Sequence, residues 1–227
     1  MKNEMVGSLS NQVFDLQIDL LQKLKSGAIT VFEMKLFLRR ENPFIINAIL
    51  LEWQEFYRKY FRITVDFSKV VIPENPGGYS RVILIPKGLK FSQVIKALRR
   101  RFKVSLYRED LDKDVIDNIR STSQSYAILI RDRVEADEEL KNLSADQLKV
   151  QEQDIITLME RLILELKYYD ETGEHLDIQN WTLCAGSRSS DGGVPRVDWH
   201  SGGAYFRVVL CSSGKLYSRF RGRSVVS

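Results

Sequence analysis

From Leu9 to Lys25, apolar residues recur at helical spacing. Val13, Leu16, Leu20 and Leu24 form one row, with Phe14, Ile18 and Leu21 beside it. Ser26-Gly27 ends that stretch, and Thr30 opens a second helix with Glu33 placed to close a capping box. The second helix is expected to end near Glu41, because Pro43 disfavours a helical Asn42. A third helix, about Phe44 to Phe61, aligns Ile45, Ile49, Trp53, Phe56 and Tyr60 on one side, a stripe that reads as core packing. At Arg62 the period changes. Ile63 to Phe67 alternates like a strand, and Val70 to Ile72 continues as an apolar run before the turn-forming Pro73 to Gly78.

Strand and helix signals then mix. The pattern predicts a strand at Arg81 to Ile85, a helix at Phe91 to Phe102, a strand at Val104 to Tyr107 and a helix at Asp110 to Ile119. Tyr126 to Ile130 is the clearest buried strand. The charged run Arg131 to Gln153 is read as a helix with a solvated face or a long loop. Thr157 and Glu160 make another capping box, opening a helix that carries Met159, Leu162, Ile163, Leu166 and Tyr169 on one face and stops at Gly173. This order predicts an α+β protein: a helical segment at 1–62 and an α+β body at 63–227.

The stretch from Trp181 to Ser227 differs in kind. It holds seven of the 13 glycines, and its short apolar runs alternate with Ser/Gly/Asp turns, as short strands joined by exposed loops do. Lys215 and six arginines stand there against Asp191 and Asp198, an excess of five in a chain whose net charge is +4. The rest of the chain is therefore close to neutral, which weighs against a general nucleic-acid coat. Trp199, His200, Tyr205, Phe206, Tyr217 and Phe220 are interleaved with arginines and small residues, the composition of an adaptable binding face. Candidate ligand-binding residues are Asp191, Arg196, Asp198, His200, Tyr205, Arg207, Ser212, Tyr217, Arg219, Phe220 and Arg221. His200, Tyr205, Arg207, Tyr217, Arg219 and Arg221 are expected to face solvent together, over a buried scaffold of Trp181, Leu183 and Val197.

Other chemistry lacks its full set of residues. Asp170, Glu171, Glu174, His175 and Asp177 crowd together, but no second histidine has metal-ligand spacing to His175, so a polar helix end is the reading and no metal or cofactor is expected. Ser187, Ser189 and Ser190 lack the strand–elbow–helix setting of a serine nucleophile, and the glycine pairs lack the lysine of a phosphate loop. No enzyme is expected. The run Lys96 to Lys103 could present Arg99, Arg100 and Lys103 to phosphates, which is the alternative: a nucleic-acid-binding accessory protein. No apolar run is long enough to span a membrane and the start lacks a signal-peptide core, so the cytoplasm is the expected location. Cys184 and Cys211 are read as two reduced, partly buried thiols.

The run from Thr157 through Gly173-Glu174-His175-Leu176-Asp177 into Trp181 to Arg188 resembles a group of uncharacterised proteins of environmental bacteria, as do Tyr126 to Leu143 and Arg39 to Phe44. The layout also resembles that of the variable proteins of diversity-generating retroelements, whose C-terminal C-type-lectin-like domain has a last segment rewritten by adenine-directed mutagenesis. Ser, Gly, Asp, His, Tyr, Arg, Cys and Phe, the residues a mutated Asn codon yields, are dense from Asp191 to Arg221. The resemblance implies a C-type-lectin-like part at 156–227, a non-catalytic variable binding face and a protein or other surface ligand. The E-P-N and W-N-D calcium triplets are missing, so calcium and sugar are not implied.

Overall fold

The structure, a computed structural model, describes residues 2–40 and 45–227. It divides into two compact units, Met1–Glu52 and Trp53–Ser227. The first holds α1 (Lys2–Ser26), α2 (Val31–Leu38) and the start of α3 (Ile45–Phe61). Gly27 stops α1 at φ +76°. The Thr30 side chain accepts from the Glu33 amide at 3.1 Å while the Glu33 carboxylate accepts from the Thr30 amide at 2.8 Å, so the expected box forms. The second helix ends at Leu38, before Glu41. The stretch 41–44, where the sequence places its end and the next start, lies outside the described residues.

The unit border falls inside α3, ahead of the period change at Arg62, because the aromatic end of this helix belongs to the second unit. Trp53, Phe56, Tyr57 and Tyr60 are buried there, and the Tyr57 hydroxyl donates to the Leu84 carbonyl at 2.6 Å. Burial pushes the Tyr57 phenol well up. The expected strand at 63–67 is absent. Exposure does alternate from Ile63 to the fully buried Phe67, but no ladder forms, because β1 (Arg81–Ile85) pairs with β4 (Tyr126–Ile130) instead. A strand pattern without a neighbouring edge stays an extended segment.

Between those strands come α4 (Phe91–Arg99), β2 (Lys103–Leu106), the one-turn α5 (Leu111–Asp114) and β3 (Asp117–Asn118). The helix expected over Asp110 to Ile119 is thus one turn only. Asp110 caps it, but Asp114 is drawn away to Tyr107 and Arg108, and the β-branched Val115 and Ile116 follow. The charged run after β4 is a loop with a single helical turn and the short α6 (Ala145–Val150).

The core is organised around α7 (Leu158–Thr172), every residue of which is buried from Leu158 to Lys167. Thr157 and Glu160 cap it reciprocally, and Gly173 closes it in the left-handed region, as the sequence requires. This helix packs on α4, β1 and β7 (Val194–His200). The remaining strands are β5 (Trp181–Leu183), β6 (Ser187–Arg188), β8 (Tyr205–Cys211), β9 (Phe220–Arg221) and β10 (Val225–Val226). They build a five-stranded sheet ordered β2-β8-β7-β5-β9, a three-stranded sheet ordered β1-β4-β10 and the pair β3-β6. The fold is α+β, with N-terminal helices followed by a sheet-rich body.

Beneath the five-stranded sheet sits a charged hub. Asp177 is fully buried and accepts from Arg161 Nε at 3.0 Å, Arg223 Nη2 at 2.7 Å, the Ala136 amide at 3.0 Å and the Thr182 hydroxyl. Burial opposes the charge on Asp177, and Arg223 and Arg161 overcome it, so its carboxyl stays below the usual range. Arg161 also donates to the buried Glu165 at 2.8 Å. Thr182 lies between Trp181 and Leu183, so the hub ties α7 directly to the underside of β5.

Candidate binding face

Side chains alternate across a strand, so the register decides which residues meet. Asp198 stands opposite Arg207, His200 opposite Tyr205 and Arg196 opposite Val209. The parallel pairing of β2 with β8 adds Lys103 beside Tyr205 and Ser105 beside Arg207, while β5 and β9 add Trp181 beside Phe220. One side of the sheet thereby gathers Lys103, Ser105, Arg196, Asp198, His200, Tyr205, Arg207 and Trp181. The other side, with Val197, Phe206 and Val208 all buried, faces the interior.

Trp181 is the centre of this outer side. It is half-buried rather than fully buried as the sequence suggested, because it belongs to the face and not to the layer under it. The Arg196 guanidinium lies over its indole at 3.8 Å, with Arg219 at 5.7 Å and Arg207 at 5.9 Å. Asp198 holds two of the three: Oδ1 accepts from Arg196 Nη1 at 2.6 Å and Oδ2 from Arg207 Nη2 at 2.7 Å. Arg219 is exposed and meets the ring instead. Lys103 lies 5.6 Å from the Tyr205 ring, and Lys215 lies 4.9 Å from the Tyr217 ring. Cation–ring contacts of this kind contribute about 0.5–1 kcal/mol each when exposed, enough to orient long side chains without locking them.

His200 and Tyr205 stack at 4.8 Å and an interplanar angle of 7°, across the turn 201–204. The Gly203 amide donates to His200 Nδ1 at 3.0 Å. A Cβ on Gly203 would come within 2.4 Å of the Tyr205 ring, so this turn admits only glycine while the tyrosine folds over it.

Of the residues expected to bind, the register brings Arg196, Asp198, His200, Tyr205 and Arg207 onto one side, with Tyr217 and Arg219 alongside. Four of the expected set are not free surface, and His200, Tyr205 and Arg207, expected to face solvent, are half-buried because they stack or pair along the sheet. Phe220 is fully buried, because its ring packs on Trp181 and Tyr217 at 5.9 and 5.0 Å. Arg196 and Asp198 are buried and bound to each other, so they brace the face. Arg221 pairs in β9 beside Thr182, on the opposite side, and binds Glu138 at 2.5 Å. Asp191 caps its own turn, accepting from the Ser189 hydroxyl and the Gly193 amide at 2.7 and 3.0 Å, which holds its carboxyl below the usual range. Ser212 is exposed just past β8. Two side chains of this face were read differently in the sequence, Lys103 as part of a basic helix and Trp181 as buried scaffold; a parallel partner across a hundred residues leaves no local signal.

The competing sites come apart. Asp170 binds Lys59 and Tyr60, Glu171 binds Arg81, His175 bonds to Glu165 and Asp177 belongs to the hub. No group of His, Cys, Asp and Glu among the described residues could hold a metal ion. His175 stacks on Trp199 at 3.3 Å, and neither histidine is hydrogen-bonded to a serine. The basic run is not one helix either: α4 ends at Arg99, which forks onto Glu109 at 2.8 and 3.0 Å, and Lys103 is a strand residue on the sheet face. Cys184 and Cys211 are unpaired, and burial pushes both thiols up. No helix is long and apolar enough to cross a membrane among the described residues. Comparison with protein-family models, curated proteins and solved structures finds no match to this chain.

Proposed function

We propose that the outer side of the five-stranded sheet is a non-catalytic binding face, the counterpart of the variable face on the C-type-lectin-like domains of diversity-generating retroelement proteins. One observation carries this reading. A single sheet side collects half-buried rings and cations over a packed core, with the exposed Tyr217 and Arg219 beside it and Arg207 and Arg219 near one indole. Tyr205, Tyr217, His200, Arg207, Arg219 and Lys103 can change without removing anything from the interior. Phe206, Val208, Val197 and the Asp177 hub beneath hold the strands in place. Such a division separates recognition from folding.

The partner class follows from charge. Arg196 and Arg207 share the carboxylate of Asp198, while Lys103, Lys215 and Arg219 lie against the rings of Tyr205, Tyr217 and Trp181 and add positive charge on or beside this side. A protein surface carrying acidic groups and rings fits this side, since aromatic and arginine side chains dominate such interfaces. A phosphate backbone fits less well, because Asp198 lies in the middle of the patch.

The test is a peptide library selected on the full-length chain, followed by the fourfold variant Lys103→Ala/Tyr205→Ala/Tyr217→Ala/Arg219→Ala. Selected peptides should lose at least tenfold in affinity, while the melting temperature stays within a few degrees. Unchanged affinity in the folded variant places binding elsewhere and ends the proposal.

A further inference from the structure

The helical unit carries an apolar surface that its own described residues leave exposed. From residue 12 to residue 19 every side chain of α1 is exposed, among them Phe14 at 63% and Leu16 at 68% of full exposure, with Leu21 at 65% beyond. At 100° per residue, Leu16, Leu20, Val13 and Leu24 fall in one arc and Leu21, Phe14 and Ile18 in the next. Asp15, Asp19, Gln12, Gln22 and Lys23 take the opposite side, where Lys23 binds Asp19 at 2.7 Å. In proteins most helical stability comes from packing an amphipathic face rather than from intrinsic propensity.

We infer that α1 packs against α1 of further copies of this chain, as a short helical bundle. Three features select a second copy over other occupants. The row Val13, Leu16, Leu20 has the three-then-four spacing of a coiled-coil seam, which is complementary to itself. The helix carries Lys2, Lys23 and Lys25 against Glu4, Asp15 and Asp19, so identical copies do not repel. Val13, Phe14, Leu16, Ile18 and Leu21 each offer roughly 100 Å² of apolar surface, by the usual worth of a buried side chain at 25 cal/mol/Å². Two copies then reach the ~1,000 Å² that a specific interface clears. A membrane surface is disfavoured, because helices that lie on lipid carry Lys and Arg on their polar side rather than Asp15 and Asp19. Each added copy brings another binding face and raises avidity for a repetitive partner.

Light scattering on the full-length chain at about 10 µM tests this inference independently of the ligand. A mass of at least twice 26.3 kDa is expected, falling to one chain in Leu16→Asp/Leu21→Asp with the body's melting transition kept. Leu16→Cys should cross-link copies on oxidation, and Asp15→Cys should not. A monomeric wild type overturns the inference, as does an assembly whose mass both aspartates leave unchanged. A monomer that floats with phosphatidylcholine vesicles overturns it in favour of a lipid surface.

Discussion

Residue by residue, the face and its support answer to different physics. Phe220 and Tyr217 are three positions apart in a loop that reads uniformly aromatic and polar, yet one is fully buried and the other 42% exposed. Phe220→Ala should cost about 3–5 kcal/mol in denaturant unfolding, whereas Tyr217→Ala should stay within about 0.5 kcal/mol. Equal costs would mean that the loop packs as one body. The hub makes a sharper case. Asp177→Asn leaves Arg161 and Arg223 without their shared carboxylate and should cost about 3 kcal/mol, the usual penalty for breaking a buried ion pair. Because the folded carboxyl of Asp177 is held below its unfolded value of about 3.9, its contribution is fully present above that pH. It is lost as pH falls through the lower folded value. Thermal stability should therefore hold down to about pH 5 and drop below about pH 4, with the drop reduced in Asp177→Asn; a drop already near pH 6 would point to another group. This hub was not legible beforehand, since charged residues scattered from Arg161 to Arg223 announce nothing until the chain folds.

At the scale of elements, legibility followed local chemistry. Both capping boxes, at Thr30 and Thr157, and the left-handed Gly173 involve residues within a few positions, and all were readable. Thr157→Ala should cost about 1 kcal/mol, more if Glu160 then loses its hold on Arg120 and Tyr126; calorimetry would show a loss near zero if the cap were idle. Where an element needs a distant partner, the pattern misled. Ile63 to Phe67 has strand periodicity and no edge to pair with, and Asp110 to Ile119 yields to the tertiary pull on Asp114. The same limit hid the parallel pairing of Lys103 to Leu106 with Tyr205 to Val208, which is what brings a basic residue from the middle of the chain to the candidate face.

For the molecule as a whole, the uneven charge is the property that sequence and structure read alike. The net charge of +4 comes from the last stretch, and the structure divides it: Arg196, Arg207, Lys215 and Arg219 lie on or beside one side of the sheet, whereas Arg221 pairs on the opposite side and Arg223 enters the hub. Random duplex DNA should bind weakly at physiological salt, with Kd in roughly the 10⁻⁴ M range or worse. Sub-micromolar binding abolished by Arg99→Ala/Arg100→Ala would instead favour the basic end of α4. Which side chains share a face was only partly legible, because strand register sorts them and the sequence does not print it.

The most direct measurement is a hydrogen-exchange footprint of the full-length chain with a selected peptide bound. Protection confined to Lys103–Leu106, Tyr205–Cys211 and the 215–221 loop is the predicted result. Protection over the 96–101 stretch or the N-terminal helices, with the sheet unchanged, would contradict the assignment of the sheet face as the binding surface.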